Sequence, residues 1–163
     1  MDRIWAPWRL GYIQSENKVD GCVFCHAGSE QNDEKNLIVE RAAHCMVMLN
    51  RYPYTSGHVM VIPFKHGSDL TLHDADTRSE MMALTEKWCR IIGEAYHPHG
   101  FNIGANIGKA AGAGIAEHLH LHIVPRWSGD VNFTTTVGNT RVLPEDLADS
   151  YARLVNAARK LKY

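Results

Sequence analysis

His118-Leu119-His120-Leu121-His122-Ile123-Val124-Pro125 alternates imidazole and aliphatic side chains and closes on a proline. Alternation with period two is the pattern of a strand with two unlike faces, so a strand is predicted over residues 117–124. Its three histidines share one face, and Leu119, Leu121 and Ile123 share the other. Next-but-one side chains on a strand stand roughly 6.5–7 Å apart, about the span of a phosphate group. Imidazole titrates near neutral pH and serves as nucleophile, acid, base or metal ligand, so a patch of three rings points to chemistry. The same spacing also fits a three-histidine metal site of the kind built on jelly-roll barrels, or a polar edge strand. A barrel requires many short strands, and the long helical stretch upstream argues against it.

Just before this strand, Gly108-Lys109-Ala110-Ala111-Gly112-Ala113-Gly114 places three glycines in seven residues. Glycine lets backbone amides approach a ligand, and successive N–H groups form an anion nest. The loop therefore reads as a phosphate cradle, with a plain flexible turn as the other reading. Further out, β-branched and apolar density predicts strands over 37–40, 44–49, 58–62 and 101–106. Met81, Leu84, Trp88, Ile91, Ile92 and Ala95 recur three or four apart, which predicts one long helix over 74–96 with Asp74 as N-cap. Leu147, Tyr151, Leu154, Val155, Ala158 and Leu161 predict a C-terminal helix opened by Pro144 at its first turn. Residues 28–36 are polar throughout and read as an exposed loop. Strands on short connections, a helix, and then further strands imply an α+β fold: an antiparallel sheet with helices on one side. One domain is expected over 1–163, comprising an N-terminal arm over 1–20, a core over 21–143 and the C-terminal helix over 144–163.

A chain of 163 residues buries a core without staples, and its charged fraction of 21% is ordinary for a globular protein. The net charge of −1 supplies no global positive field, which argues against a nucleic-acid partner and leaves any anionic substrate to local groups. Lys109 and Arg126 are candidates for that local charge, with solvated surface as the other reading. Neither a signal-peptide stretch nor an apolar run of membrane-spanning length occurs, so a cytoplasmic protein with no membrane partner is expected. Trp5, Trp8 and Trp127 read as packing residues, one of which has the flat surface needed to stack on a base.

Four cysteines occur, at 22, 25, 45 and 89. In a reducing compartment a close pair is more often a metal clamp or a redox pair than a disulfide. No βαβ pattern surrounds Cys22 and Cys25, which argues against redox, whereas two thiolates at this spacing can grip one Zn²⁺ if two more ligands arrive. Nearby His26 and His44 are possible partners, and two free thiols remain the plainer reading. Cys45 and Cys89 read as core thiols.

His118-Leu119-His120-Leu121-His122-Ile123-Val124 resembles the histidine-triad motif of the nucleotide hydrolases and transferases. The resemblance extends through Asn50, Ser56-Gly57-His58, Val61-Ile62-Pro63, the long helix and the Gly-rich loop. Trp5-Ala6-Pro7-Trp8-Arg9, Cys22-Val23-Phe24-Cys25 and the stretch from Pro125 to Phe133 are similar to the bacterial branch that includes diadenosine tetraphosphate phosphorylases. Membership implies His120 as the nucleophile that forms a covalent nucleotidyl-histidine, His122 as a phosphate hydrogen-bond donor, and His58 for the polyphosphate or leaving group. It also implies Asn50 as the ribose contact and Asn106 as a phosphate contact, with Gly112, Gly114 and Ile115 of the loop on the nucleotide-binding side. In zinc-bearing relatives the two further ligands map onto His66 and His118, giving a structural Zn²⁺ site of Cys22, Cys25, His66 and His118 and no organic cofactor.

The implied reaction is cleavage of dinucleoside polyphosphates, by phosphorolysis or hydrolysis, with an adenine dinucleotide and inorganic phosphate as partners. Hydrolysis of nucleoside phosphoramidates and nucleotide binding without turnover are the other readings. Hydrolase relatives carry Gln, Ser or Thr shortly before the triad, where this chain has Gly112-Ala113-Gly114-Ile115-Ala116. That departure fits a backbone nest, or a second acceptor other than water. Pairing of sheets across a two-fold axis in the family implies a homodimer or higher assembly.

Overall fold

The computed structural model describes residues 21–131, 133–138 and 143–162, so the expected N-terminal arm lies outside the described residues. Helix Val23–Ser29 (α1) and the single turn Asp33–Asn36 (α2) precede three strands, Ile38–Arg41 (β1), Cys45–Leu49 (β2) and Val59–Pro63 (β3). The long helix Ala75–Tyr96 (α3) follows, then Gly100–Gly104 (β4), Leu121–Arg126 (β5), the turn Phe133–Thr136 (α4) and Leu147–Lys160 (α5). The strands form one antiparallel sheet in the order β1-β2-β3-β5-β4. This is the expected α+β architecture with a long central helix and a C-terminal helix.

Period two sorts the sheet into two faces. Cys45, Val47, Leu49, Val59, Val61 and Ile123 pack against Met81, Leu84, Trp88, Ile91 and Ile92 of α3 and Leu154 and Ala157 of α5. Trp88 is fully buried there, and its indole N–H donates to Glu40, which also holds the Lys87 ammonium, both at 2.7 Å. Asp74 caps α3 by accepting from the Thr77 amide, as expected. The opposite face carries Ile38, Met46, Met60 and Ile62, covered by Phe24 and Ala27 of α1. Helices therefore lie on both sides of the sheet, not on one, and the unbroken apolar runs of β2 and β3 are what a strand covered on both faces requires. Arg41 of β1 docks α1 by donating to the carbonyls of Gly28, Ala27 and Glu30, groups that a helix end leaves without partners.

Several boundaries differ from the sequence reading. Residues 28–36 hold the end of α1 and all of α2, where Asn32 caps by accepting from Lys35, so they are not a plain loop. The histidine strand enters the ladder only at Leu121, because its neighbour β3 ends at Pro63, which has no N–H to continue it. The Leu119 amide donates instead to Gly67 O at 2.6 Å. With that partner gone, β4 stops at Gly104 opposite His122, and Ala105 and Asn106 fall outside the strand. Finally, α5 starts at Leu147 and not at Pro144, because the Asp146 carboxylate caps it by accepting from Asp149 at 2.9 Å.

Candidate functional site

The alternation of the histidine segment persists ahead of the ladder. Leu119 is buried in the core beneath α3, whereas His118 and His120 lie on the other side against Phe24, with ring centroids 5.5 and 5.2 Å from its ring. His122 follows in β5, its ring 4.9 Å from that of His120 and edge-on to it. Period two delivers all three rings to the face that α1 only partly covers.

Each ring is held in one tautomer by the partner of its other nitrogen. His120 Nδ1–H donates to His118 O at 2.8 Å, leaving the Nε2 lone pair free. The Tyr54 amide donates to His58 Nδ1 at 3.1 Å, so the proton of His58 sits on Nε2, which donates to His122 Nδ1 at 2.9 Å. His122 therefore carries its own proton on Nε2. The result is a lone pair on His120 beside an N–H on His122, the pairing a nucleophile and a phosphate-oxygen donor require. Burial, with the positive potential of His122 and His120 in support, pushes His58 down to about 3. Burial and His120 push His122 down to about 4, so both rings are neutral donors at neutral pH.

Cys22, Cys25, His66 and His118 converge, with their ligand atoms all within 4.8 Å of one another. Cys22 is the N-cap of α1 and Cys25 lies three residues on, so the first turn of the helix presents both thiols together. Cys22 Sγ lies 3.2 Å and Cys25 Sγ 3.6 Å from His118 Nδ1, and Cys25 Sγ lies 3.4 Å from His66 Nδ1. A tetrahedral zinc with bonds of about 2.3 Å to sulfur and 2.0–2.1 Å to nitrogen puts neighbouring S and N ligands roughly 3.5 Å apart, so the set fits. His118 Nε2–H donates to Pro63 O at 2.8 Å, which turns its Nδ1 lone pair into the cluster as a ligating imidazole requires. Among the described residues neither His26 nor His44 joins this group, and His26 pairs instead with Glu30 at 3.2 Å.

A cavity of about 620 Å³ opens beside His122 and is lined by Tyr54, Asn102, Gly104, Asn106, Val124 and Arg126 among others. Asn106 thus joins His122, whereas Asn50, Gly112, Gly114 and Ile115 lie outside the lining. Asn50 stands at the end of β2 beside His58, its amide donating to His58 O and its side-chain oxygen accepting from Tyr52 at 2.9 Å. In the Gly-rich loop, Gly108 and Gly112 have φ of +84° and +85°, left-handed values that favour glycine. The Gly112 amide donates to Lys109 O, and those of Ala111 and Ala113 donate to Gly108 O, so these N–H groups close the loop on itself. Ile115 packs against the Phe24 and Met60 cluster. Lys109 is exposed, while the Arg126 guanidinium is bound to Asp130 and Asn102.

Three site features escape a sequence reading: the Tyr54 ring stacked on His58 at 4.9 Å, the Phe24 ring against His118 and His120, and Asn102 in the cavity wall. Phe24 carried a signal, lying inside the C-x₂-C pair; Tyr54 and Asn102 carried none.

Residues 30–129 match the HIT domain family. A Mycobacterium tuberculosis protein named AP-4-A phosphorylase is 41% identical over 159 residues, covering 92% of this chain and 80% of the relative. Among solved structures, a Zn-bound histidine triad family protein from Mycobacterium smegmatis superposes with a TM-score of 0.69 at 32% identity, covering 87% of this chain and 96% of that one. A hypothetical histidine triad nucleotide-binding protein from Sulfolobus tokodaii gives a TM-score of 0.66 at 27% identity, with 86% and 94% covered. By its three alternating rings, its sheet and these matches, the chain belongs to the histidine triad (HIT) family.

Proposed function

We propose that this histidine triad enzyme cleaves dinucleoside polyphosphates, diadenosine tetraphosphate above all, through a covalent nucleotidyl-His120. The observation that carries the reading is the free His120 Nε2, fixed by the Nδ1 bond to His118 O, beside the outward N–H of His122. His120 Nε2 attacks the α-phosphorus and the bridging P–O bond breaks, with the departing nucleotide taking the electron pair. His122 Nε2–H and Asn106 hold the phosphate oxygens as their charge redistributes, which is most of what phosphoryl-type transfer asks of a protein. His58 keeps the His122 tautomer, and Asn50 is assigned to the ribose. An acceptor oxygen then attacks the same phosphorus, and the P–N bond returns its electron pair to His120.

Cys22, Cys25, His66 and His118 would hold Zn²⁺, which would supply a structural clamp tying α1 to the segment whose carbonyl orients the nucleophile. The absence of a hydroxyl or amide side chain from Gly112 to Ala116 favours inorganic phosphate over water as acceptor, in keeping with the name of the 41% identical relative. Localisation in the cytoplasm and a homodimer belong to the same reading; among the described residues no helix is long and apolar enough to cross a membrane.

The test is incubation with diadenosine tetraphosphate with and without inorganic phosphate. Phosphorolysis yields ADP plus ATP only when phosphate is present. His120→Ala abolishes turnover while adenine nucleotides still bind, and the wild type gains the mass of one adenylyl group, AMP less water, when phosphate is withheld. Full activity of His120→Ala would remove the nucleophile assignment.

A further inference from the structure

The cavity beside His122 has a direction. It takes in His122 but not His120, and it runs along β4 and β5 toward Arg126. It therefore lies beyond His122 on the side away from the nucleophile. A displacement at phosphorus keeps the attacking and leaving groups roughly in line, so this is the side on which the departing nucleotide emerges. Its volume of about 620 Å³ falls within the roughly 300–1,000 Å³ of small-ligand sites.

Asn102 stands in this wall by register. Gly104 pairs with His122 and Asn102 with Val124, so Asn102 shares the His122 face roughly 6.5–7 Å further along the sheet. Its orientation is fixed by Arg126, which lines the same cavity. Asp130 grips Arg126 through two bonds, to Nε at 2.6 Å and to Nη2 at 2.8 Å, and Arg126 Nη1 donates to Asn102 Oδ1 at 2.6 Å. With the amide oxygen committed to Arg126, Nδ2 is the side of the amide left to donate toward the cavity. A carboxylate–guanidinium–amide chain immobilises three long or rotatable side chains, a cost that makes sense where a donor has to be held in place.

We infer that Asn102 is a specificity-determining contact for the leaving group, its Nδ2 donating to a phosphate oxygen of the departing nucleotide, with Arg126 and Asp130 as positioning residues. The inference rests on the proposed nucleotidyl transfer to His120 and assigns what that reading leaves open: which residue distinguishes a polyphosphate leaving group from a small one. Diadenosine tetraphosphate would engage the contact. Adenosine 5′-phosphoramidate, which delivers the same adenylyl group but expels ammonia, has nothing to place there.

The experiment measures kcat/KM for both compounds with the wild type, Asn102→Ala and Asn102→Asp. Asn102→Asp keeps an oxygen for Arg126 but replaces the donor by a negative charge facing the polyphosphate. The ratio of kcat/KM for the tetraphosphate to that for the phosphoramidate is expected to fall about tenfold in Asn102→Ala and further in Asn102→Asp, with Arg126→Ala between the wild type and Asn102→Ala. A wild type that turns over both compounds, with variants whose ratio stays at the wild-type value, would overturn the Asn102 assignment alone. A wild type that turns over neither compound would overturn the nucleotidyl-transfer reading, and this inference with it.

Discussion

His58 is buried and His122 half-buried, and both are neutral rings whose surroundings are other imidazoles and an aromatic face: His58 meets His122 and the Tyr54 ring, and His122 meets His58, His120 and Tyr54. In the unfolded chain each ring titrates near its ordinary value of 6.5, while in the fold the two titrate near about 3 and about 4. Between those limits the unfolded state binds more protons than the native state, so stability rises with pH and is lost as pH falls below 6.5 toward 4. The loss is on the order of 2 kcal/mol per histidine by about pH 5. Thermal unfolding followed between about pH 7 and about pH 5 should show that decline, and His58→Asn should flatten it. An equal acid slope in the variant would show that the stability loss arises elsewhere. The three triad rings were legible in the sequence because period two marks their face, and His58 only through the family resemblance. Their tautomers were not, since those of His120, His118 and His58 are set by backbone groups, His118 O, Pro63 O and the Tyr54 amide, that only the chain path brings up, and that of His122 is set in turn by His58.

At the scale of elements, the site depends on α1, a helix of only seven residues that brings Cys25 and Phe24 to the histidine face. A helix this short does not hold itself, so its position comes from the Phe24 and Ala27 contacts below and from Arg41 at its C-terminal end. Arg41 also pairs with Asp33 at 2.8 Å, which ties α1 and α2 to one strand. Arg41→Ala strips partners from three carbonyls, and a cost of about 1–3 kcal/mol is expected. In a chain of this size that lowers Tm by roughly 2–4 °C for each kcal/mol, measurable by calorimetry. Metal retention under a chelator should weaken in parallel, and unchanged values in both would mean that α1 is held by its apolar face alone. Long elements were legible because many residues vote for one period, as α3 with its Asp74 cap shows. The covered second face was legible in principle from Met46, Met60 and Ile62, which interrupt any polar alternation. The end of the histidine strand was not, because it turns on Pro63 and Gly67, which lie more than 50 residues away.

Over the whole molecule, the four candidate metal ligands come from three distant parts of the chain, with Cys22 and His118 separated by 96 positions. A crosslink that closes so long a loop removes conformational freedom from the unfolded state, by about 4–5 kcal/mol when the link is a disulfide over ~100 residues. A metal acts likewise as long as the unfolded chain binds it weakly, because its binding free energy then becomes folding free energy. The purified protein is accordingly expected to carry about one zinc per chain, and its removal by a chelator should lower Tm by roughly 10 °C, reversed on adding zinc back. Cys22→Ser should lose the metal and the corresponding stability, whereas His120→Ala, which leaves all four ligands in place, should retain both. That contrast separates the two jobs done by one alternating segment. On the proposed reading His118 anchors the chain and His120 attacks two residues on, so a variant that loses turnover with its zinc and Tm intact would locate the reaction at His120. If metal-free protein melted at the wild-type temperature, the four side chains would be an accidental cluster. The docking of α1 would then rest on Arg41 and the Phe24 contacts alone.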